Sequence, residues 1–145
     1  MARVREILER KGTQVWTIGQ EATVLQAALL MNERKVGALV VAESGRIVGM
    51  FSERDVLWRV VSEQRDPEQT LVGDVMSTEV ICCTLETTLE EAGGAMKNRR
   101  FRHLPVADDE GRLLGLVSIG DLNAFQQADQ EQTIFLMNEY LYGRV

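Results

Sequence analysis

The chain has 145 residues, of which 45% are hydrophobic and 26% charged, and its formal net charge is −6. That length suits one ordinary domain or two very small ones, and the balance belongs to a globular chain rather than a disordered one. The acidic excess argues against a dedicated nucleic-acid binder, and no apolar run approaches the roughly 20 residues that span a bilayer. One histidine and two cysteines argue against a structural zinc site, which usually takes four spaced ligands, so no metal is expected. The opening MARVREILERKG is charged and mixed, without the apolar stretch and small-residue cleavage site of a leader, and the expected location is the cytoplasm.

The first predicted strand is QVWTI, residues 14–18, rich in β-branched residues. A helix from Val24 to Arg34 follows, with Leu25, Ala28 and Leu29 at helical spacing and Thr23 in the N-cap position. GALVVA and RIVGMF, joined by a Ser-Gly turn, read as a hairpin, and a closing helix starts at Glu53 with Trp58 in its apolar stripe. EQRDPEQT, residues 63–70, is polar, and Pro67 discourages a continuous helix.

The second half repeats the first. EVICC predicts a strand, Leu89 to Arg99 a helix capped by Thr88, and HLPVAD with LLGLVS a hairpin through a Glu-Gly turn, before a helix from Ile119. Gly49, Ser52 and Asp55 recur in the same spacing as Gly115, Ser118 and Asp121, and the one-residue drift between the copies falls in the hairpin turn, where insertion costs little. The order is β-α-β-β-α, twice, an α+β chain. Each copy, at roughly 55 residues, is marginal alone, so the two are expected to pack sheet against sheet around a shared core. The boundaries expected are 1–64 for the first repeat, 65–70 for the linker, 71–126 for the second repeat and 127–145 for a C-terminal helical extension. Within that extension Ile134, Phe135, Met137 and Leu141 suggest an amphipathic helix. Adjacent Cys82 and Cys83 point to opposite faces of a strand and are poorly placed to pair with each other; any redox role is open.

A tandem repeat carrying DVMSTEV, RRFRHLPVAD and GLVSIGDL resembles the cystathionine-β-synthase (CBS) domain pair, or Bateman module, over residues 3 to 126, and the tail is similar to that of small stand-alone bacterial members. The resemblance implies two repeats related by a pseudo-two-fold axis, with clefts for adenine-containing ligands: AMP, ADP or ATP, sometimes NAD or S-adenosylmethionine. It implies a Gly-h-h-Ser-x-x-Asp motif whose acid accepts from ribose hydroxyls, carried here by Ser118 and Asp121 and again by Ser52 and Asp55. The same Ser-x-x-Asp is also what a helix N-cap needs, and the two roles are compatible.

Copy two offers Arg99, Arg100, Arg102 and His103, then Leu104 and Pro105, and guanidinium groups suit phosphate. The alternative for this cluster is a solvated helix end, and for His103 a hydrogen-bonded strand residue. Copy one has Gly37 and Ala38 at the positions of Arg102 and His103, Val40 at that of Pro105, and Arg54 as a substitute cation. The family pattern adds Thr13, Val15 and Trp16 to the Asp121 pocket, where Trp16 is either an adenine contact or core, and Val80 and Ile81 to the Asp55 pocket. The Asp121 pocket is the expected stronger site.

No nucleophile–base pair, P-loop or dinucleotide glycine fingerprint is present, which points to a non-catalytic sensor rather than an enzyme. The alternative is a structural dimer with empty clefts. A homodimer is expected through the helices bearing Leu25, Leu29, Val56, Val60, Leu89 and Leu122, covered in part by Ile134 to Tyr142, together with an unidentified downstream protein partner.

Overall fold

The computed structural model describes residues 1–128; the extension from 129, with Ile134 to Tyr142, lies outside the described residues. The order is α1 (Val4–Lys11), β1 (Thr17–Ile18), α2 (Val24–Arg34), β2 (Ala38–Glu43), β3 (Arg46–Ser52) and α3 (Glu53–Asp55). The last runs on as a π-helical segment, Val56–Val61. Then come α4 (Val72–Val75), α5 (Leu89–Arg99), β4 (His103–Ala107), β5 (Leu113–Ser118) and α6 (119–128).

The two hairpins are built alike. β2 pairs antiparallel with β3, and β4 with β5; each ladder slips at the same place, between Val41 and Ala42 and between Val106 and Ala107. Ser44 and Gly45 turn the first hairpin with φ of 52° and 78°, the positive pair that matches the twist of the strands. The hairpins meet where Arg46 bridges Arg112 and the Leu113 N–H donates to the Gly45 carbonyl. Helices α2 and α5 begin where the threonines predicted. Thr23 and Gln26, and Thr88 and Glu91, form reciprocal capping boxes that satisfy N–H groups otherwise orphaned at a helix start.

The first strands of the two copies differ. β1 lies parallel to β2, with Thr17 opposite Val40 and Ile18 opposite Val41. EVICC, expected as a strand, makes only one bridge, Cys83 to Val106, in the same register. Continuing the ladder would set Cys82 opposite Pro105, where copy one has the Val40 N–H donating to the Trp16 carbonyl. Proline has no N–H to give, so the second ladder stops after one residue.

The core also departs from expectation. Instead of one shared core there are two, each completed by a helix from the other half. Val4, Ile7 and Leu8 of α1 pack with Cys83, Met96, Leu104, Val106 and Val117 of the second half. Val72, Val75 and Met76 pack with Val24, Leu39, Val41 and Phe51 of the first. Gly115 and Gly49 are where these exchanged helices press closest. A Cβ on Gly115 would stand 2.8 Å from Leu8 Cδ1, and one on Gly49 2.7 Å from Met76 Sδ, so the glycine of each motif admits the opposite half's helix. Full burial of each such aliphatic side chain contributes about 1.5–3 kcal/mol.

Trp58 is not in the core: it is 61% exposed, beside exposed Leu57 and Val61, while Val60 is fully buried. Ser62 and Arg65 donate five residues back, to Leu57 and Val60, and this wider turn rotates the apolar face away from the 3.6-residue phase.

Candidate functional site

Each hairpin's last strand ends at a serine that starts a helix. At the first junction the Asp55 N–H donates to Ser52 Oγ at 3.4 Å and the Ser52 N–H to Asp55 Oδ2 at 2.9 Å. At the second the distances are 3.0 Å for Asp121 N–H to Ser118 Oγ and 2.9 Å for Ser118 N–H to Asp121 Oδ2. Both Ser-x-x-Asp motifs therefore cap their helices. What separates them is everything else that approaches the carboxylate.

Asp55 is buried, only 6% exposed, and its Oδ1 lies 3.4 Å from Ser77 Oγ and 3.7 Å from Arg59 Nε. Arg59 is committed to the end of α4, donating to the carbonyls of Val75 at 3.2 Å and Met76 at 3.0 Å. Asp121 is paired directly: Lys11 Nζ donates to its Oδ2 at 2.7 Å and to the Leu116 carbonyl at 2.9 Å. Burial alone would raise the Asp121 pKa, but the bonds from Lys11 and Ser118 outweigh it and hold the carboxyl below its ordinary value.

A cavity of about 180 Å³ opens on the Asp55 side. Of the residues expected in binding sites it gathers Gly37, Ala38, Ser52, Arg54, Asp55, Val80, Ile81, Arg102, His103 and Pro105. Arg102 and His103 thus stand in one cleft with Asp55, whereas the sequence comparison assigned them to the pocket of Asp121. The hairpin ends explain this. His103 is opposite Ser118 in the second ladder and Ala38 opposite Ser52 in the first, and the starts of both hairpins face the same cavity.

The other expected residues are not among those lining it. Leu104 turns into the second core because strand alternation sends His103 and Pro105 the other way. Trp16 packs partly buried against the first core, with the Arg34 guanidinium 4.1 Å above its ring. Thr13 is exposed and Val15 half-buried, and Ser118 and Asp121 are engaged with each other and Lys11. The cavity adds Met50, Glu53, Ser77, Glu79, Arg100 and Phe101. Arg100 is visible as part of the basic run; Ser77 and Glu79 lie within DVMSTEV without being expected in a binding site, and they enter because the chain after α4 bridges β3, Ser77 to Met50.

The cavity's electrostatics are mixed. Arg54, Arg100 and Arg102 supply positive charge, Glu53, Glu79 and Asp55 negative. Arg54 also lies 5.1 Å over the Trp58 ring. Burial pushes the His103 pKa down, helped by Lys11 and Arg102 and opposed by Asp121 and Glu53, so the imidazole is neutral at pH 7. Burial, and then the neighbouring Cys82, push the Cys83 thiol up to about 11, which removes it as a nucleophile at neutral pH. The arrangement offers a capped carboxylate, three guanidinium groups and apolar walls from Val80, Ile81 and Pro105, a set suited to holding a ligand.

Comparison with known proteins agrees with this architecture. Residues 4–62 and 72–127 match the family model of the CBS domain. The CBS domain-containing protein YhcV of Bacillus subtilis is 37% identical over 126 residues, covering 87% of this chain and 89% of that protein. A protein with CBS domains from Burkholderia ambifaria superposes with a TM-score of 0.85 at 36% identity, over 89% of this chain and 96% of its own. The CBS domain protein PAE2072 of Pyrobaculum aerophilum, solved with AMP, gives 0.73 at 25% identity, over 82% and 88%.

Proposed function

The chain belongs to the CBS-domain family, and from that premise we propose that it is a non-catalytic regulatory module whose Asp55 cleft binds an adenine nucleotide. One observation carries the reading: a single cavity joins Asp55, an acceptor held by the helix cap, to the Arg54, Arg100 and Arg102 guanidinium groups. A ribose diol donates to a carboxylate, phosphate oxygens accept from arginine, and the base takes the apolar walls. The AMP-bound Pyrobaculum relative supports the ligand class. The mixed charge around the cavity favours a monophosphate over the more anionic triphosphate.

Titration calorimetry with adenosine, AMP, ADP and ATP tests this. Saturable binding of AMP, tighter than adenosine, is expected; heat-free titrations with all four, and with NAD and S-adenosylmethionine, would leave the clefts without a nucleotide role. Turnover of ATP or NAD would contradict the non-catalytic reading.

The module is read as a homodimer through the exposed apolar side chains of Leu57, Trp58 and Val61, and Leu29 of α2 is exposed as well. Of the side chains expected there, Leu29 is exposed, but Val60 and Leu122 are buried in the chain's own cores. Among the described residues no helix is long and apolar enough to cross a membrane. Light scattering at micromolar concentration should give twice 16.3 kDa; a monomer of that mass overturns the dimer.

A further inference from the structure

We propose that Lys11 is a tethered occupant of the second cleft, holding the carboxylate of Asp121 in place of a ligand and limiting each chain to one nucleotide. The inference rests on the Asp55 cleft being the nucleotide site.

The exchanged helices give the argument. Val4, Ile7 and Leu8 occupy in the second core the places that Val72, Val75 and Met76 occupy in the first. Their backbones are anchored alike: the Val4 N–H donates to the Thr87 carbonyl and the Val72 N–H to that of Ala22. Carried on at the same spacing, the correspondence sets Lys11 against Glu79. Glu79 lines the open cavity of Asp55; Lys11 grips Asp121.

Helix length produces the difference. α4 ends at Val75 and Met76 is already extended, so Ser77 pairs through its backbone with Met50. α1 continues to Lys11 before Gly12 ends it at φ 94°. Thus the Met50 carbonyl accepts from a backbone N–H of Ser77, whereas its counterpart, the Leu116 carbonyl, accepts from the Lys11 ammonium. Two further contacts hold the lysine's end of α1 against the second half: Leu8 against Gly115, and the Arg10 guanidinium 4.2 Å over the Phe125 ring.

An ammonium has three donors, and two are spent on Asp121 and Leu116. A diol reaching Asp121 Oδ2 must displace an ammonium–carboxylate pair and replace it with a bond in which only the acceptor is charged, which is the weaker of the two. Asp55 meets no lysine, and its nearest cation, Arg59, stands off at 3.7 Å. A ligand diol there competes with the Ser52 and Ser77 hydroxyls, at 3.2 and 3.4 Å, and not with an ammonium at 2.7 Å.

The test compares AMP stoichiometry in the full chain with that of Lys11→Met and of Lys11→Met/Asp121→Asn. One AMP per chain is expected for the first, two for the second and one for the third. Two in the unaltered chain, or one in Lys11→Met, would overturn the proposal and leave the Asp55 site standing. No AMP bound to any of the three would remove the nucleotide reading and this proposal together. A ligand-free readout guards against a misfolded variant. Acetylation of Lys11 by an N-hydroxysuccinimide ester should be several-fold slower than that of Lys35 and Lys97, and should accelerate in Asp121→Asn. Equal rates with and without the Asp121 charge would overturn the tether.

Discussion

The two Ser-x-x-Asp junctions are equal as caps and unequal as sites. Both carboxylates accept from their own serine N–H at 2.9 Å, yet one faces a cavity with three arginines and the other is neutralised by a lysine at 2.7 Å. A duplicated motif therefore preserves what its local sequence needs, a satisfied helix start, while what surrounds its carboxylate is set by the other half of the chain.

The largest expected effect comes from removing the available acid. Asp55→Ala should weaken AMP binding about ten- to a hundredfold, the value of a carboxylate accepting from a diol, while Asp121→Ala leaves it nearly unchanged. Because Asp55 also caps α3, Asp55→Asn, which keeps an acceptor oxygen, separates affinity from stability in a melting curve. Equal losses at the two positions would abolish the distinction between the clefts.

Next in size is the phosphate. Arg102→Ala should cost AMP about tenfold while sparing adenosine, as for one charge-assisted bond. An unchanged AMP-to-adenosine ratio would move the phosphate to Arg54 or Arg100.

His103 gives a smaller, pH-dependent signal. Its folded pKa lies below the ordinary 6.5, chiefly because it is buried, so the free protein gains its proton only on the acid side of that value. A bound phosphate favours the charged form, and AMP affinity should rise a few-fold as pH falls below about 6.5, with the rise absent in His103→Gln. The unfolded chain takes up the proton first, so this group's contribution to stability is full above 6.5 and falls as pH drops. A flat affinity profile would take His103 out of phosphate contact.

The smallest effect belongs to the Lys11–Asp121 pair. Lys11→Met should let the Asp121 pKa rise. A carboxyl depressed in the folded state contributes stability above its unfolded pKa and loses it as pH falls through the folded one. The variant should therefore be less stable near neutrality, by no more than about 1 kcal/mol for so exposed a pair, and the gap should close in acid. A melting difference independent of pH would attribute the loss to packing.

Much of this architecture could be read from local signals. Thr23 and Thr88 mark the helix starts because a cap is chemistry within three residues, and the hairpins follow from alternation and a Ser-Gly turn. The parts that escaped depend on distance or phase. Helix α1 hides its apolar triad of Val4, Ile7 and Leu8 among five charges, and the partners of those residues come from the far half of the chain. Lys11 meets an acid 110 residues away, which nothing near either residue announces. Trp58 was placed by a 3.6-residue period that the π-helical turn does not keep. Pro105 stands out in the sequence as a difference from Val40; its effect as the missing donor that shortens a strand needs the ladder to be seen.

The exchange of α1 and α4 has a consequence for how the chain is born. On a ribosome the first hairpin emerges without Val72, Val75 and Met76, and its core stays open until α4 follows. α1, the earliest element made, waits with Val4, Ile7 and Leu8 uncovered until β5 supplies Gly115 and Val117. The first core can close once Met76 is out, whereas the second needs both the earliest helix and the last strands, so α1 should remain protease-sensitive and a natural client of holding chaperones until translation is nearly complete.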